Sequence, residues 1–110
     1  MIDTLINGHW SILLPEHRAA RPEWVTGWER ERLDHMHSTT EPGDRVLYVG
    51  AEESDMCALL QIWGASVFLV EPNELVIPNA KAIWDANDLA MPAGMFVGFC
   101  GIALPLRGPA

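Results

Sequence analysis

The sequence predicts an α/β fold of the Rossmann-like type, with a short parallel sheet in the strand order 3-2-1 and flanking helices. A strand is predicted over about 45–50, where apolar residues follow Arg45 and end at Gly50. A helix-forming segment comes next, which is typical of a buried strand that turns sharply into a helix. A second strand, predicted over about 66–70, is continuously apolar after Ser66, as expected when helices cover both faces of a parallel sheet. Right-handed crossovers place such strands side by side, with a ligand crevice at their carboxyl ends.

The segment before the first strand, residues 1–44, is predicted to hold a lead-in and one amphipathic helix. Residues 1–20 show no sustained period, which favours an irregular lead-in or a short strand. Pro22 suits a first helical turn, because the N–H that proline lacks is not needed there, and the helix is predicted to run to about His37. Its apolar positions are Val25, Trp28, Leu33 and Met36.

Two further helices connect the predicted strands. The first runs from about residue 55 to 63, where the Ser54 side chain caps its start and Gly64 ends it. The second is predicted over 78–87, because Pro78 fits a first helical turn. Its apolar face is formed by Ala80, Ile83 and Trp84.

A third strand is predicted over 95–104, within a partial domain that spans 45–110. A three-stranded parallel sheet would leave this strand as an apolar edge with unpaired backbone groups, which proteins rarely leave exposed. We therefore expect a homo-oligomer, or a partner chain that completes the sheet.

Composition and charge argue against several classes of protein. The formal charge is −8 with only seven Lys and Arg residues, so contacts to the phosphates of nucleic acid are not expected. No stretch approaches the ~18 consecutive apolar residues of a membrane helix, and a secretion signal is absent, so we expect no membrane partner and a cytoplasmic location. Cys57 and Cys100 have no metal-ligand spacing, so no metal site is predicted.

A nucleoside-bearing cofactor is the first functional hypothesis. Glu71 ends the second predicted strand 21 positions after Gly50, close to the ~20-residue offset at which an acidic residue meets a ribose hydroxyl pair. A nicotinamide or flavin dinucleotide fits poorly, because GxGxxG is absent and Glu52 and Glu53 place negative charge where a pyrophosphate would lie. S-adenosylmethionine fits better, because its ammonium group would be attracted by Glu52.

Three short motifs resemble the opening of the FkbM-type methyltransferases within the class I family. They are Val-Gly-Ala with Met at 49–56, Val-Glu-Pro-Asn at 70–73 and Asn-Asp-Leu at 87–89, so the resemblance covers roughly 45–89. It implies a Rossmann-like domain that binds S-adenosylmethionine and transfers its methyl group, often to a hydroxyl oxygen.

The resemblance also implies roles for particular residues. Gly50 and Ala51 would line the methionine moiety, Glu71 would hold the ribose hydroxyls, and Asn73 would lie near the adenine. The candidate cofactor-binding residues are therefore Gly50, Ala51, Glu52, Ser54, Glu71 and Asn73. No catalytic residue is predicted, because no nucleophile with a neighbouring base can be assembled from these motifs.

Departures from the family pattern keep a second hypothesis open. Tyr48 stands where the family usually has an acid, Ser54 stands where it has a later glycine, and the family's domain continues through about four more strands. The fold is therefore expected to be incomplete relative to the full methyltransferase fold. The alternative is a non-catalytic Rossmann-like scaffold for protein–protein association, and a dinucleotide-dependent oxidoreductase ranks below both.

Overall fold

The computed structural model describes residues 1–92 and 94–97. The strands are β1 Ile2–Ile6, β2 Trp10–Leu14, β3 Arg45–Val49, β4 Ser66–Glu71 and β5 Gly94–Val97. The helices are α1 Glu16–Ala19, α2 Glu23–Thr26, α3 Arg30–Thr39, α4 Asp55–Ile62 and α5 Ile77–Ala86, with a 3₁₀ turn at Glu74–Val76 directly before α5. None of the helices in this part of the chain has both the length and the apolar character needed to cross a membrane.

The described strands form two small sheets. β1 and β2 pair antiparallel, while β3 and β4 pair in parallel and β5 extends that pair beside β4. The predicted Rossmann-like class, one short parallel sheet in the order 3-2-1 with flanking helices, is therefore wrong. The main reason lies in residues 1–20, because the interpretation as a lead-in overlooked a hairpin that builds a sheet of its own.

The hairpin turn is formed by Asn7 and Gly8, whose φ angles are 55° and 69°. An Asn-Gly pair favours such a turn because both residues tolerate positive φ, and the His9 N–H donates to the Ile6 carbonyl at 3.0 Å. Alternate residues of the two strands are buried, which gives the hairpin one apolar face. These residues are Thr4, Ile6, Trp10, Ile12 and Leu14.

The single helix predicted from Pro22 to about His37 is also wrong. α2 ends at Thr26, and α3 starts at Arg30 after Gly27 at φ 119° and Glu29 at φ 43°. Val25 is 83% exposed, so it does not belong to an apolar face.

The segment around β3 and β4 agrees more closely with the prediction from the sequence. α4 and α5 lie within a residue or two of the predicted helices, and the predicted apolar face of α5 is fully buried. β3 and β4 pair from Arg45 with Ser66 to Val49 with Val70, and the Gly50 N–H extends the pairing to the Val70 carbonyl at 2.8 Å. Of the predicted third strand, residues 98–104 lie outside the described residues.

One hydrophobic core runs through the described chain on both sides of residue 44. It joins the inner face of the hairpin to Trp24 and Leu33, and then to the buried faces of α4, β4 and α5. β2 packs against both α4 and α5. The hairpin therefore covers the helices of the β3–α4–β4–α5 segment and shares their core.

Two asparagine side chains add polar connections between these parts. The Asn7 amide accepts from the Trp28 N–H at 2.6 Å and donates to the Trp28 carbonyl at 2.9 Å. The Asn87 amide does the same at Leu13, at 2.8 Å and 2.9 Å. We call each of these side-chain amides an amide clamp. Each bonds both the N–H and the carbonyl of one residue that is far away in the sequence, as a neighbouring strand would.

Candidate functional site at the carboxyl edge of the parallel strands

The carboxyl ends of β3 and β4 meet at the side chain of Glu71. The Ala51 N–H donates to Glu71 Oε1 at 2.7 Å, and the Asn73 N–H donates to Oε2 at 2.8 Å. Because β3 and β4 are adjacent and parallel, their ends lie at one edge, and the acid after β4 reaches the turn after β3. Glu71 therefore joins the Gly50–Ala51 turn to the loop that follows β4.

The Glu71 carboxylate is buried, with the residue 5% exposed. Burying a carboxylate without partners is costly, and the two backbone N–H groups offset that cost with charge-assisted hydrogen bonds. An ionised carboxylate offers about four acceptor positions, so these two bonds leave acceptor capacity on both oxygens. Glu71 thus has a structural role, because it fastens the turn after β3 to the loop after β4.

The turn between β3 and α4 has an unusual backbone. Gly50 has φ 81°, and two non-glycine residues, Glu52 at 49° and Ser54 at 68°, also lie in the left-handed region. Such conformations are uncommon for residues other than glycine and cluster at binding sites and switch regions. A Cβ at Gly50 would meet nothing within 4 Å, so this glycine is needed for its backbone conformation and borders open space.

Ser54 does not cap α4 through its side chain, so that prediction is wrong. Its positive φ departs from the extended conformation of a typical N-cap residue, and the side chain makes no capping bond. The residue is fully buried, and its hydroxyl has no hydrogen-bond partner within the part of the chain that is described. Ser54 therefore lies beneath the turn rather than in contact with a crevice.

A small cleft of about 70 Å³ lies beside the turn. Its walls come from the β3–α4 segment and from the start of α3. They are formed by Trp28, Glu29, Arg32, Tyr48, Val49, Gly50, Ala51, Glu52, Asp55 and Met56. Pockets that enclose a whole small ligand measure roughly 300–1,000 Å³, so this cleft has room for a polar head group and not for a nucleoside.

Some charged groups of the cleft have a partner of opposite charge, and one does not. Asp55 Oδ2 lies 2.5 Å from Arg18 Nε, and both side chains are largely buried, at 6% and 15% exposure. Glu29 Oε1 lies 3.2 Å from Arg32 Nη1, and both of these side chains are about half exposed. Glu52 is exposed, and its side chain forms no ion pair or hydrogen bond with a described residue.

Tyr48 supplies an uncharged polar group to the cleft. Its burial raises the pKa of the phenol to about 12, so the hydroxyl stays protonated at neutral pH.

The N-terminal helices are pinned onto this turn. The Arg18 guanidinium lies over the rings of Trp24 and Trp28, at 5.0 Å and 5.6 Å, while it pairs with Asp55. The two tryptophans pack edge to face with their ring centroids 4.9 Å apart. This cation–π arrangement holds α1 and α2 against the start of α4.

Among the predicted residues, the structure brings Gly50, Ala51, Glu71 and Asn73 together. Asn73 uses its side-chain oxygen to accept from the Leu75 N–H at 3.0 Å, so it starts the 3₁₀ turn. Glu52 lies at the cleft, whereas Ser54 is buried below it.

Sequence reasoning missed Arg18 and Arg32. Arg18 precedes Gly50 by 32 positions and Arg32 precedes it by 18, and no local motif marks them. The described residues also hold no group of three or more His, Cys, Asp or Glu side chains arranged to bind a metal ion.

Comparison with protein-family models, with curated proteins and with solved structures finds no match for this chain.

Proposed function

We propose that the chain binds S-adenosylmethionine at the carboxyl edge of β3 and β4 and belongs functionally with the methyltransferases. The observation that carries this proposal is the 2.7 Å hydrogen bond from the Ala51 N–H to Glu71. It places an acidic side chain and a glycine turn at one point, which is the arrangement that the ribose and the amino-acid end of such a cofactor require.

The chemistry of the available groups fits the cofactor. Ribose hydroxyls are donors, and Glu71 has acceptor positions beyond the two already in use. The open space at Gly50 allows a close approach to the backbone. The exposed carboxylate of Glu52 suits an ammonium group.

The cofactor supplies an electrophilic methyl group, and the chain's own residues have to hold and orient it. Proximity and orientation contribute most to such a transfer. We propose a hydroxyl oxygen as the acceptor, in line with the FkbM resemblance of residues 45–89. None of the described residues is assigned as a general base.

Isothermal calorimetry with S-adenosylmethionine, S-adenosylhomocysteine and NAD tests this proposal. We expect binding of the first two ligands, weak or absent binding of NAD, and at least a tenfold loss of affinity in Glu71→Ala, because a charge-assisted hydrogen bond is removed. Glu74→Ala, which changes an exposed acid three positions later, is the matched control. Binding that is equal in the wild type and Glu71→Ala would remove the ribose assignment.

A second candidate function is non-catalytic association, and the exposure of β3 favours it. Leu47 and Val49 are 47% and 55% exposed on one face of this strand. Among the described residues, no strand pairs with the outer edge of β3. Exposed apolar edge strands promote pairing with another chain, and a second copy is the occupant that we propose.

Light scattering after size-exclusion chromatography tests the association. A homodimer should show twice the monomer mass at micromolar concentration, and Leu47→Lys should return it to monomer because the charge disrupts strand pairing. Val25→Lys changes a valine that is 83% exposed elsewhere and should leave the mass unchanged. A stable monomer in the wild type would contradict this candidate.

A further inference from the structure

We propose that a groove between the hairpin and the end of α5 docks an extended, basic segment of a partner protein. The β2–α5 groove, as we call it, has Asp3 and Ser11 on the hairpin side and Asn87 and Asp88 on the α5 side. It shares no residue with the cleft at the glycine turn, so it is independent of the proposed function.

The outer edge of β2 offers an open backbone donor and acceptor to the groove. Leu13 directs its N–H and carbonyl away from β1, because both groups bond the Asn87 side chain, at 2.8 Å and 2.9 Å. In an antiparallel strand, residues two apart direct these groups to the same side. Ser11 therefore presents its N–H and carbonyl at this outer edge, where no described residue forms a hydrogen bond with either group. An extended peptide can pair with them as an added strand.

The charged groups of the groove are all acidic. Asp3 accepts from the Ser11 hydroxyl through one oxygen only, Oδ1, at 2.7 Å. Asp88 is exposed and forms no ion pair with any residue that the structure describes. No Lys, Arg or His side chain is among the described residues that line the groove. A Lys or Arg side chain of a docked segment would supply the missing positive charge.

Two longer-range effects favour the same kind of partner. The carboxyl end of α5 carries the partial negative charge of the helix dipole, which attracts a cation. The whole chain has a formal charge of −8, and such a field speeds the approach of a basic partner and repels an acidic one.

The size and the backbone groups of the groove favour a peptide over a free amine. Its volume of about 390 Å³ lies within the range of roughly 300–1,000 Å³ for pockets that hold a small ligand, so a long side chain fits. A free amine would use the carboxylates and offer no acceptor to the Ser11 N–H. A peptide carbonyl offers that acceptor.

Both walls of the groove are fixed before a partner arrives. The Asn87 amide clamp joins the end of α5 to the edge of β2. Asp88 follows it directly, and its N–H donates to the Asp85 carbonyl at 3.1 Å. Such support lowers the entropy that is lost on binding, because neither wall has to be ordered by the partner.

Fluorescence polarisation with a labelled Val-Arg-Val-Arg-Val peptide, blocked at both ends, tests the charge complementarity. We expect saturable binding of this peptide and none of Val-Glu-Val-Glu-Val. The double variant Asp3→Asn with Asp88→Asn should weaken binding about tenfold or more, because charge-assisted hydrogen bonds are lost. Asp34→Asn changes an exposed acid of α3 outside the groove, and this charge-matched control should leave the affinity unchanged.

The pairing with the backbone of β2 has its own measurements. Ser11→Pro removes the N–H at the outer edge and should weaken binding about tenfold, whereas Ser11→Ala keeps that N–H and should bind within about twofold of the wild type. Circular dichroism shows whether the proline variant is folded. The Val-Arg-Val-Arg-Val peptide with its central valine N-methylated leaves the protein unchanged and should also bind about tenfold more weakly.

Three results would overturn the proposal. The first is an affinity that is equal in the wild type and the double aspartate variant. The second is equal affinity for argininamide and for the peptide, or no loss on N-methylation, which would make the groove a site for a small cation. The third is the absence of peptide binding in the wild type. The cofactor proposal depends on other residues and stands in each case.

Discussion

The two sheets of this protein form through different chain connections. The β1–β2 hairpin closes through a local turn at Asn7 and Gly8, and its strands bury every second residue. β3 and β4 lie side by side only because α4 carries the chain back across the sheet. The two sheets also differ in which residues they bury. β4 has three consecutive buried residues at 69–71, whereas the face of β3 with Leu47 and Val49 stays exposed.

The two sheets also differ in how polar groups hold them. Side-chain amides attach the hairpin region to the rest, through Asn7 at Trp28 and Asn87 at Leu13. A single buried carboxylate, Glu71, fastens the ends of β3 and β4. Neutral clamps thus attach the hairpin, whereas buried charged groups lie at the candidate site, where Glu71 fastens the strand ends and Arg18 pairs with Asp55.

Truncations in the core should show the largest effect and test whether the two sheets unfold together. Leu14→Ala in β2 and Leu69→Ala in β4 remove fully buried side chains, and each should cost about 2–5 kcal/mol in the free energy of unfolding. Urea denaturation followed by circular dichroism and tryptophan fluorescence measures both. Leu75→Ala, 81% exposed, is the control and should change stability by less than about 0.5 kcal/mol.

A shared core requires one transition with the same midpoint by both probes. If Leu14→Ala produced an early transition that left the β3–α4–β4 segment folded, the hairpin would be a separate folding unit, and the two sheets would not share one core.

Removal of the charged clamp should have the next largest effect. Glu71→Ala leaves the Ala51 and Asn73 N–H groups without their acceptor, which should cost about 1.5–3 kcal/mol. Glu74→Ala should be nearly neutral, because this acid is exposed. Hydrogen exchange at the Ala51 amide gives the sharper measurement, and protection that survives in Glu71→Ala would show that the amide has another acceptor.

The neutral clamp at Asn87 should contribute somewhat less. Asn87→Ala removes both bonds to Leu13 and should cost about 1–2 kcal/mol. Asn87→Asp keeps an acceptor for the Leu13 N–H and loses the donor, so its stability should fall between the wild type and the alanine variant. Asp85→Ala, which changes an exposed acid in the last turn of α5 directly before Asn87, serves as control. Equal stability of Asn87→Ala and the wild type would show that this clamp does not stabilise the fold.

Alkaline pH should destabilise the protein through the buried thiol of α4. Burial raises the pKa of Cys57 from 9.0 to about 12, so the unfolded thiol ionises first and stability falls as the pH rises from 9 toward 12. At pH 10 the ionisation of the unfolded thiol lowers the stability by roughly 1 kcal/mol. Thermal unfolding of Cys57→Ala should show a correspondingly flatter pH dependence than the wild type, and parallel curves for the two proteins would contradict it.

The smallest effect is expected at the hairpin turn. Gly8 has φ 69°, and a Cβ there would meet nothing within 4 Å, so Gly8→Ala should cost only the backbone strain of about 1 kcal/mol. Gly43→Ala, at φ 89° and equally open before β3, should cost about the same. A much larger loss at Gly8 alone, measured by urea denaturation, would mean that the hairpin turn controls more of the fold than its own conformation.

Local patterns explain which elements were predictable. The apolar face of α5 follows a helical period and Pro78 lies in the first turn of this helix, and both signals act within one element. The hairpin also has a local signal, because Asn-Gly lies between two segments that bury alternate residues. An alternating period in residues 1–20 therefore predicts the two strands that an irregular lead-in does not. The break between α2 and α3 has a weaker signal, since Gly27 is its only mark in the sequence and Glu29 adopts positive φ.

What the sequence determined by itself is the meeting of Gly50 and Glu71. Two short apolar strands joined by one helix leave their carboxyl ends at a common edge, so the spacing of these residues was sufficient to place them together. The second wall of the cleft was decided only by the tertiary structure. Arg18 and Arg32 reach the turn because the hairpin and the α1–α3 segment pack onto a shared core, and contacts between distant segments leave no periodic trace in the sequence.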